Sequence, residues 1–285
     1  MPEAYEIAEP REVAGASQAA SRFLAALAAP DLPRLSSERI AVVVAHPDDE
    51  TIGVGGQLSR FANTSVVHVT DGAPRDHPDR TAYARTRRRE LETAMAMVGI
   101  PAHACISLGL VDQEASLHLA SLAERLRAFF QERRIEIVLT HPYEGGHPDH
   151  DATAFAVSAA RALMGRRAMT PPAIIEMAFY HAGGGGLRTQ EFADAPELDV
   201  IEVPLSTAAW ALKRRMLAAH VSQVEVLAQF GARIERFREA PVYDFCAPPN
   251  DGAVHYEANG WGISAQRWCQ LASEAQRQLL GLEPC

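Results

Sequence analysis

The chain carries none of the marks of a membrane or nucleic-acid protein. No apolar run reaches the roughly 18 residues needed to cross a bilayer. The formal net charge is −9, whereas a nucleic-acid partner calls for a basic face. The first residues, Met1-Pro2-Glu3-Ala4-Tyr5-Glu6, have neither the basic start nor the apolar core of a signal peptide. A cytoplasmic protein is therefore expected. The four cysteines, Cys105, Cys246, Cys269 and Cys285, show no C-x-x-C spacing, which argues against a zinc knuckle. In a reducing compartment they are expected to be unpaired thiols. No internal repeat is visible. A dinucleotide fingerprint is also missing: in Gly53-Val54-Gly55-Gly56 the third glycine of G-x-G-x-x-G would fall at Leu58. Close packing of a helix on a sheet is the better use for these glycines.

What is present is enough apolar sequence for a large core: 285 residues, 47% hydrophobic. Short β-branched runs alternate with helical patterns. Strands are expected at 39–45, 65–70, 104–108, 135–140, 173–180 and 199–203. Helices are expected from about 53, and at 80–98, 115–132, 151–164, 206–229 and 263–280. Such alternation predicts βαβ units with right-handed crossovers. The fold class is α/β, a Rossmann-like and mostly parallel sheet of order 3-2-1-4-5 plus additional strands, with helices on both faces. An Ala-rich helix at 11–29 precedes it. The run of four glycines at 183–186 reads as a flexible loop or a mobile lid. The expected organisation is an N-terminal helical extension (1–38), a main domain (39–230) and an aromatic, Pro-rich tail with a last helix (231–285) packed on the same domain.

Two strands end in loops loaded with chemistry. The run 40–44 is followed by Ala45-His46-Pro47-Asp48-Asp49-Glu50, and the run 135–139 by Thr140-His141-Pro142-Tyr143-Glu144-Gly145-Gly146-His147-Pro148-Asp149-His150. Open α/β sheets bind ligands beyond the carboxyl ends of their strands, where strand order reverses. Imidazoles and carboxylates held there suit a zinc-like ion, and a carboxylate left over can act as a base. The remaining histidines have no ligand spacing and read as structural, with His141 and His181 near the site.

At these residues the chain resembles the LmbE-like, or PIG-L-type, zinc-dependent N-acetylglucosaminyl deacetylases. The family's A-H-P-D-D-E stands at 45–50 and its H-P-D-H at 147–150. Thr70-Asp71-Gly72, Arg87-x-x-Glu90, Asp112 and Lys213…Ser222-Gln223 agree more weakly. The likeness runs over roughly 39 to 225. It implies that His46, Asp49 and His150 hold Zn2+, with Fe2+ an alternative. Asp48 would then be the general base. His147 would stabilise the oxyanion as imidazolium or pass a proton to the leaving amine. Arg87 and Asp112 would face substrate. Asp149 and Glu50 would support the ligands from behind, although helix capping is an equal reading for Asp149. The implied reaction is hydrolysis of an acetamide on a small-molecule, amino-sugar conjugate, releasing acetate. Alternatives are an amidase or esterase on a non-sugar substrate, and a non-catalytic metal-binding module. Homo-oligomerisation is also expected to be open to the chain, through the aromatic tail.

Overall fold

A computed structural model describes residues 10–29 and 35–281. Its elements run α1 (Pro10–Ala28), β1 (Leu35–Val44), α2 (Asp49–Val54), β2 (Phe61–Pro74), α3 (Arg80–Ala96), β3 (Cys105–Asp112), α4 (Leu119–Arg133), β4 (Ile137–Thr140) and α5 (Pro148–Arg166). Then follow β5 (Ala173–Met177), β6 (Tyr180–Gly183), β7 (Gly186–Thr189), β8 (Ile201–Pro204), α6 (Thr207–Ala219), α7 (Val224–Leu227), β9 (Ile234–Glu239), α8 (His255–Ala258) and α9 (Ala265–Leu280). Seven strands form one sheet in the order β3-β2-β1-β4-β5-β9-β8. β3 to β5 are parallel, so the expected 3-2-1-4-5 order holds. β9 and β8 add an antiparallel edge.

The period of two along each strand divides the core between the faces. From β1, Ile40, Val42 and Val44 enter one apolar cluster with α1, α3 and α6, while Ala41 and Val43 enter the other with α4, α5 and α9. β4 repeats this with Ile137 and Leu139 on one face and Val138 on the other. Fully buried strands have no polar face to show, which is why they read as continuous apolar runs. α1 is part of this core: Ala20, Phe23 and Leu27 are buried in the first cluster.

The sequence left three features unseen or misread. β9 was not expected, and it lies inside the sheet rather than in an appended tail. The glycine run is not an irregular loop: β6 and β7 form a two-stranded antiparallel hairpin with Gly183 paired to Gly186. Glycine there permits the tight turn between strands. The cysteines divide: Cys105 and Cys269 are free and buried, but Cys246 is disulfide-bonded. Spacing along the chain says nothing about spatial approach, so that pairing was not legible. Cys285 lies outside the described residues. Among the described residues, no helix is long and apolar enough to cross a membrane.

Two buried ion clusters fasten the antiparallel edge. Lys213 of α6 is fully buried and donates to Ile52 O (2.7 Å) and to Glu235 of β9 (2.6 Å). Glu235 also accepts from Gly56 N, so α2 is tied to α6 and β9. Gly53 has to be glycine for packing: a Cβ there would stand 2.8 Å from Met177 Sδ.

The second cluster surrounds Arg238 of β9. Its guanidinium donates to Glu176 (2.7 Å) and Glu144 (3.0 Å). Tyr243 donates to Glu176, and Ala193 N to Glu144. One cation faces two buried carboxyls. Burial pushes both Glu144 and Glu176 up to about 7, against the pull of Arg238. Their ordinary value is 4.5, so the folded state binds their protons more tightly than the unfolded state does. Stability drawn from them is complete below about pH 4.5 and is lost as pH rises through about 7. Glu176→Gln removes one acid. Relative to the wild type, this variant is expected to gain on the order of 1–3 kcal/mol on going from pH 5 to pH 8. Urea midpoints at the two pH values measure this; parallel losses in both proteins would refute it.

Candidate active site

β1 and β4 are adjacent and parallel, with Ile40 opposite Ile137 and Val42 opposite Leu139. Their carboxyl ends therefore deliver both motif loops to one place, at the point where the chain turns outward in opposite directions. His46, Asp48, Asp49, His147, Asp149 and His150 are all buried there.

His46, Asp49 and His150 present one ligand atom each within 4.8 Å of one another. Asp49 is the hub. One of its oxygens lies 3.3 Å from His46 Nδ1 and the other 3.4 Å from His150 Nε2. His150 Nε2 is buried and has no hydrogen-bond partner. A buried lone pair without a donor is costly, and a cation would remove that cost. The electrostatics point the same way. Burial pulls the His46 imidazole down, yet Asp112, with hydrogen bonds to Asp112, Asp149 and Asp49, lifts its pKa well above the ordinary value. A positive charge is wanted among these carboxylates. Two imidazoles and one carboxylate fit the protein ligand set of a zinc-type centre.

A second grouping, His46, Asp112, His147 and Asp149, is equally compact. It is the weaker seat. Asp149 already accepts from Gln113 N (2.6 Å), Ala115 N (3.0 Å) and His46 Nε2 (3.3 Å). That arrangement puts the His46 proton on Nε2 and leaves Nδ1 free toward Asp49, the usual task of a carboxylate behind a metal-bound histidine.

Asp48 stands beside Asp49 at the start of α2 with φ +151°, a backbone that costs a non-glycine residue about 1–3 kcal/mol. Local bonds hold it. Thr51 N and Ile52 N donate to its carbonyl, and Glu50 accepts from its N–H. Arg87 fixes its side chain, donating through Nη2 to Oδ2 at 2.9 Å. Burial pushes the Asp48 carboxyl up to about 7, with Arg87 opposing; a cation on Asp49 would act in the same sense as Arg87.

Arg87, expected to face substrate, is engaged by Asp48. It is buried, and its remaining bonds go to Gly72 O and Pro47 O. Its three arginine neighbours, Arg85, Arg88 and Arg89, are the ones that stay at least partly open. Asp112 does reach the site. Its Oδ1 lies 3.1 Å from His46 Nε2 and 3.9 Å from His147 Nε2. Although burial opposes it, His46 holds the Asp112 carboxyl well below the usual range.

His147 is the N-cap of α5: its Nδ1 accepts Asp149 N–H at 3.1 Å. That settles the capping question against Asp149, and the helix starts at Pro148, three residues before the expected position. It also corrects the imidazolium reading. A ring that accepts at Nδ1 carries its single proton on Nε2. Burial first, then His46, hold the His147 pKa well below the ordinary value. His147 is thus a neutral Nε2–H donor. Glu50 is fully buried and spent on His68 Nε2 (3.0 Å), Thr51 Oγ1 and Asp48 N. It braces the loop.

Three residues at the site were not assigned roles from the sequence. His141 accepts Ala45 N–H (2.9 Å) and stacks on His150 at 3.9 Å, which sets the angle of that ligand. Tyr180 lies 5.2 Å from the His150 ring. Its phenol is held well above its ordinary pKa, by burial first and then by Asp49, Asp48, Asp112 and Asp149. Trp261 lies 4.7 Å from the His147 ring. Proximity of His141 was foreseen from its place in the motif loop. Nothing in the local sequence marks Tyr180, which stands at the end of the expected strand 173–180 and opens β6 of the hairpin.

The residues 41–161 match the family described as PIG-L: GlcNAc-PI de-N-acetylase. The 1D-myo-inositol 2-acetamido-2-deoxy-alpha-D-glucopyranoside deacetylase of Kineococcus radiotolerans is 31% identical over 164 residues, which are 45% of this chain and 44% of that protein. The protein of the same name from Thermobifida fusca is 26% identical over 244 residues, 67% of this chain and 85% of its own length. The chain spans about half the length of most of the curated relatives it matches. Among solved structures, an A40926 pseudoaglycone deacetylase superposes with a TM-score of 0.54 at 19% identity, covering 72% of this chain and 97% of that one. The N,N'-diacetylchitobiose deacetylase of Pyrococcus horikoshii gives 0.51 at 20% identity, covering 84% and 95%. These two likenesses are of fold.

Proposed function

We propose, from the premise that residues 41–161 belong to the PIG-L family, that this chain hydrolyses the N-acetyl group of a small amino-sugar conjugate with the help of a bound zinc-type ion. The observation that carries the reading is the convergence of His46, Asp49 and His150 on one point, with Asp48, the chain neighbour of Asp49, held by Arg87 and outside that set. A structural metal site has no use for a strained, arginine-clamped carboxylate next door. The ion, when bound, supplies a Lewis acid for the acetamide carbonyl and lowers the pKa of a water.

The chain does the rest. Asp48 takes the proton of the attacking water, and that proton is then available for the departing amine. His147 Nε2–H donates to the oxygen that gains charge as the carbonyl becomes tetrahedral. Asp149 and Asp112 keep His46 in the tautomer that leaves Nδ1 free. The pseudo-closed setting, with every motif carboxylate and imidazole buried, strengthens each of these interactions. The substrate class rests on the curated relatives, whose printed substrate is a 2-acetamido-2-deoxyglucopyranoside. Two imidazoles and one carboxylate suit zinc in a catalytic hydrolase site, and the same donor set also takes iron(II).

The test is a screen of N-acetylated glucosaminides scored by acetate release. The expected result is release by zinc-loaded protein that chelator abolishes and zinc restores. Release that chelator leaves intact, or none from any glucosaminide at full metal occupancy, refutes the reading.

A further inference from the structure

The segment 254–263 closes one side of the site. Val254 packs against Gly145, where an added Cβ would come within 2.7 Å of Val254 Cγ1. His255 N donates to Gly145 O at 2.7 Å. Tyr256 is fully buried. On the far side Glu257 accepts Ala265 N–H, and Trp268 Nε1 donates to Pro148 O at the start of α5. The segment is therefore anchored to the loop that bears His147 at Gly145, and the helix that follows it, α9, is anchored at Pro148.

Trp261 is different from the rings around it. Trp268 and Tyr256 lie wholly in the core, whereas Trp261 is half-buried. Its backbone is pinned by Trp261 N donating to Tyr256 O. The flanking Gly260 and Gly262 have φ of +66° and +76° and open space where a Cβ would be, so the tight turn displays the indole. One part of the ring meets His147 at 4.7 Å with a tilt of 47°, and its neighbour is His255 at 5.7 Å. Across from it stands Tyr180, beside both His150 and His255.

We propose that Trp261 is the sugar platform of the site: the pyranose ring of the substrate stacks on the open part of the half-buried indole, which sets its 2-acetamido group toward His147 and the His46–Asp49–His150 point. A pyranose has a face of C–H groups and a polar rim. A half-exposed indole offers an apolar plate with an edge N–H, a match that an acyclic acetamide cannot exploit. The indole is rigidly held, so little freedom is lost on binding. This proposal rests on the deacetylase reading above and names the specificity element within it.

The experiment uses the zinc-loaded full chain and its Trp261→Ala and Trp261→Phe variants. Two quantities are measured: KM and kcat for methyl N-acetylglucosaminide, and the inhibition constant of acetohydroxamate, which seeks the metal and has no sugar. Trp261→Ala is expected to raise KM about tenfold, equal to about 1.4 kcal/mol, with kcat within about threefold. Trp261→Phe recovers most of the loss, and the acetohydroxamate constant stays within about twofold. An unchanged KM overturns the proposal. So does an equal loss on both compounds, which would make Trp261 a shield or support for His147. If zinc-loaded wild type fails to hydrolyse any N-acetylglucosaminide, the deacetylase reading falls and this proposal with it, whereas hydrolysis with unchanged KM removes the platform alone.

Discussion

Acetate release by His150→Ala is expected to fall by about 10³-fold or more and to be beyond rescue by ordinary zinc concentrations. Polarisation of the carbonyl by a metal is worth several kcal/mol, and each 1.36 kcal/mol is a factor of ten in rate. The variant deletes one of the three proposed ligands, and the other two, His46 and Asp49, would not keep the geometry alone. Chelation of the wild type should produce a similar fall, but a reversible one. Metal content by elemental analysis, measured beside turnover, distinguishes the two routes. His150→Ala that retains one equivalent of metal and normal turnover would show that the ion sits in the other grouping, around Asp112 and Asp149. The orphaned His150 Nε2 and the saturated Asp149 argue against that outcome.

This centre was largely legible because its parts are local. A strand followed at once by His46, Asp48 and Asp49 fixes three groups within a few residues, and only the pairing of β1 with β4 had to be inferred. Parallel order supplied that inference. The failures have a common physical origin in groups whose partners are distant in sequence. Arg87 sits in a basic run that looks solvated; it is buried because helix α3 turns this one arginine toward Pro47, Asp48 and Gly72. β9 reads Ile-Glu-Arg-Phe-Arg-Glu, with no apolar run to mark it. Its charged side chains enter the interior only because Lys213, Glu176 and Glu144 wait there. Pairing of buried charges across sheet neighbours leaves no periodic trace. The aromatic tail was read chiefly as a subunit contact, whereas one of its rings, Trp261, lies against His147 of the same chain.

Asp48→Asn is the second large effect, a loss of about 10²- to 10⁴-fold in kcat with the metal retained, the usual worth of a positioned general base. The substitution is conservative in every respect but one. Asparagine keeps the shape, and its carbonyl oxygen can still accept from Arg87 Nη2. The ligand set is untouched, because Asp49, not Asp48, lies against His46 and His150. What is lost is the ability to take a proton from water. Arg87→Met probes the same base from behind, by removing the clamp that orients Asp48 and lowers its pKa. A loss in kcat with little change in KM is expected there too, smaller than for Asp48→Asn, because the carboxylate is still present but no longer held. Binding of metal and of a glucosaminide product should be close to wild type in both variants. If Asp48→Asn instead sheds its metal and regains normal turnover when zinc is resupplied, the residue is a ligand or a prop. The strained backbone at φ +151° would then serve the metal loop rather than the proton transfer.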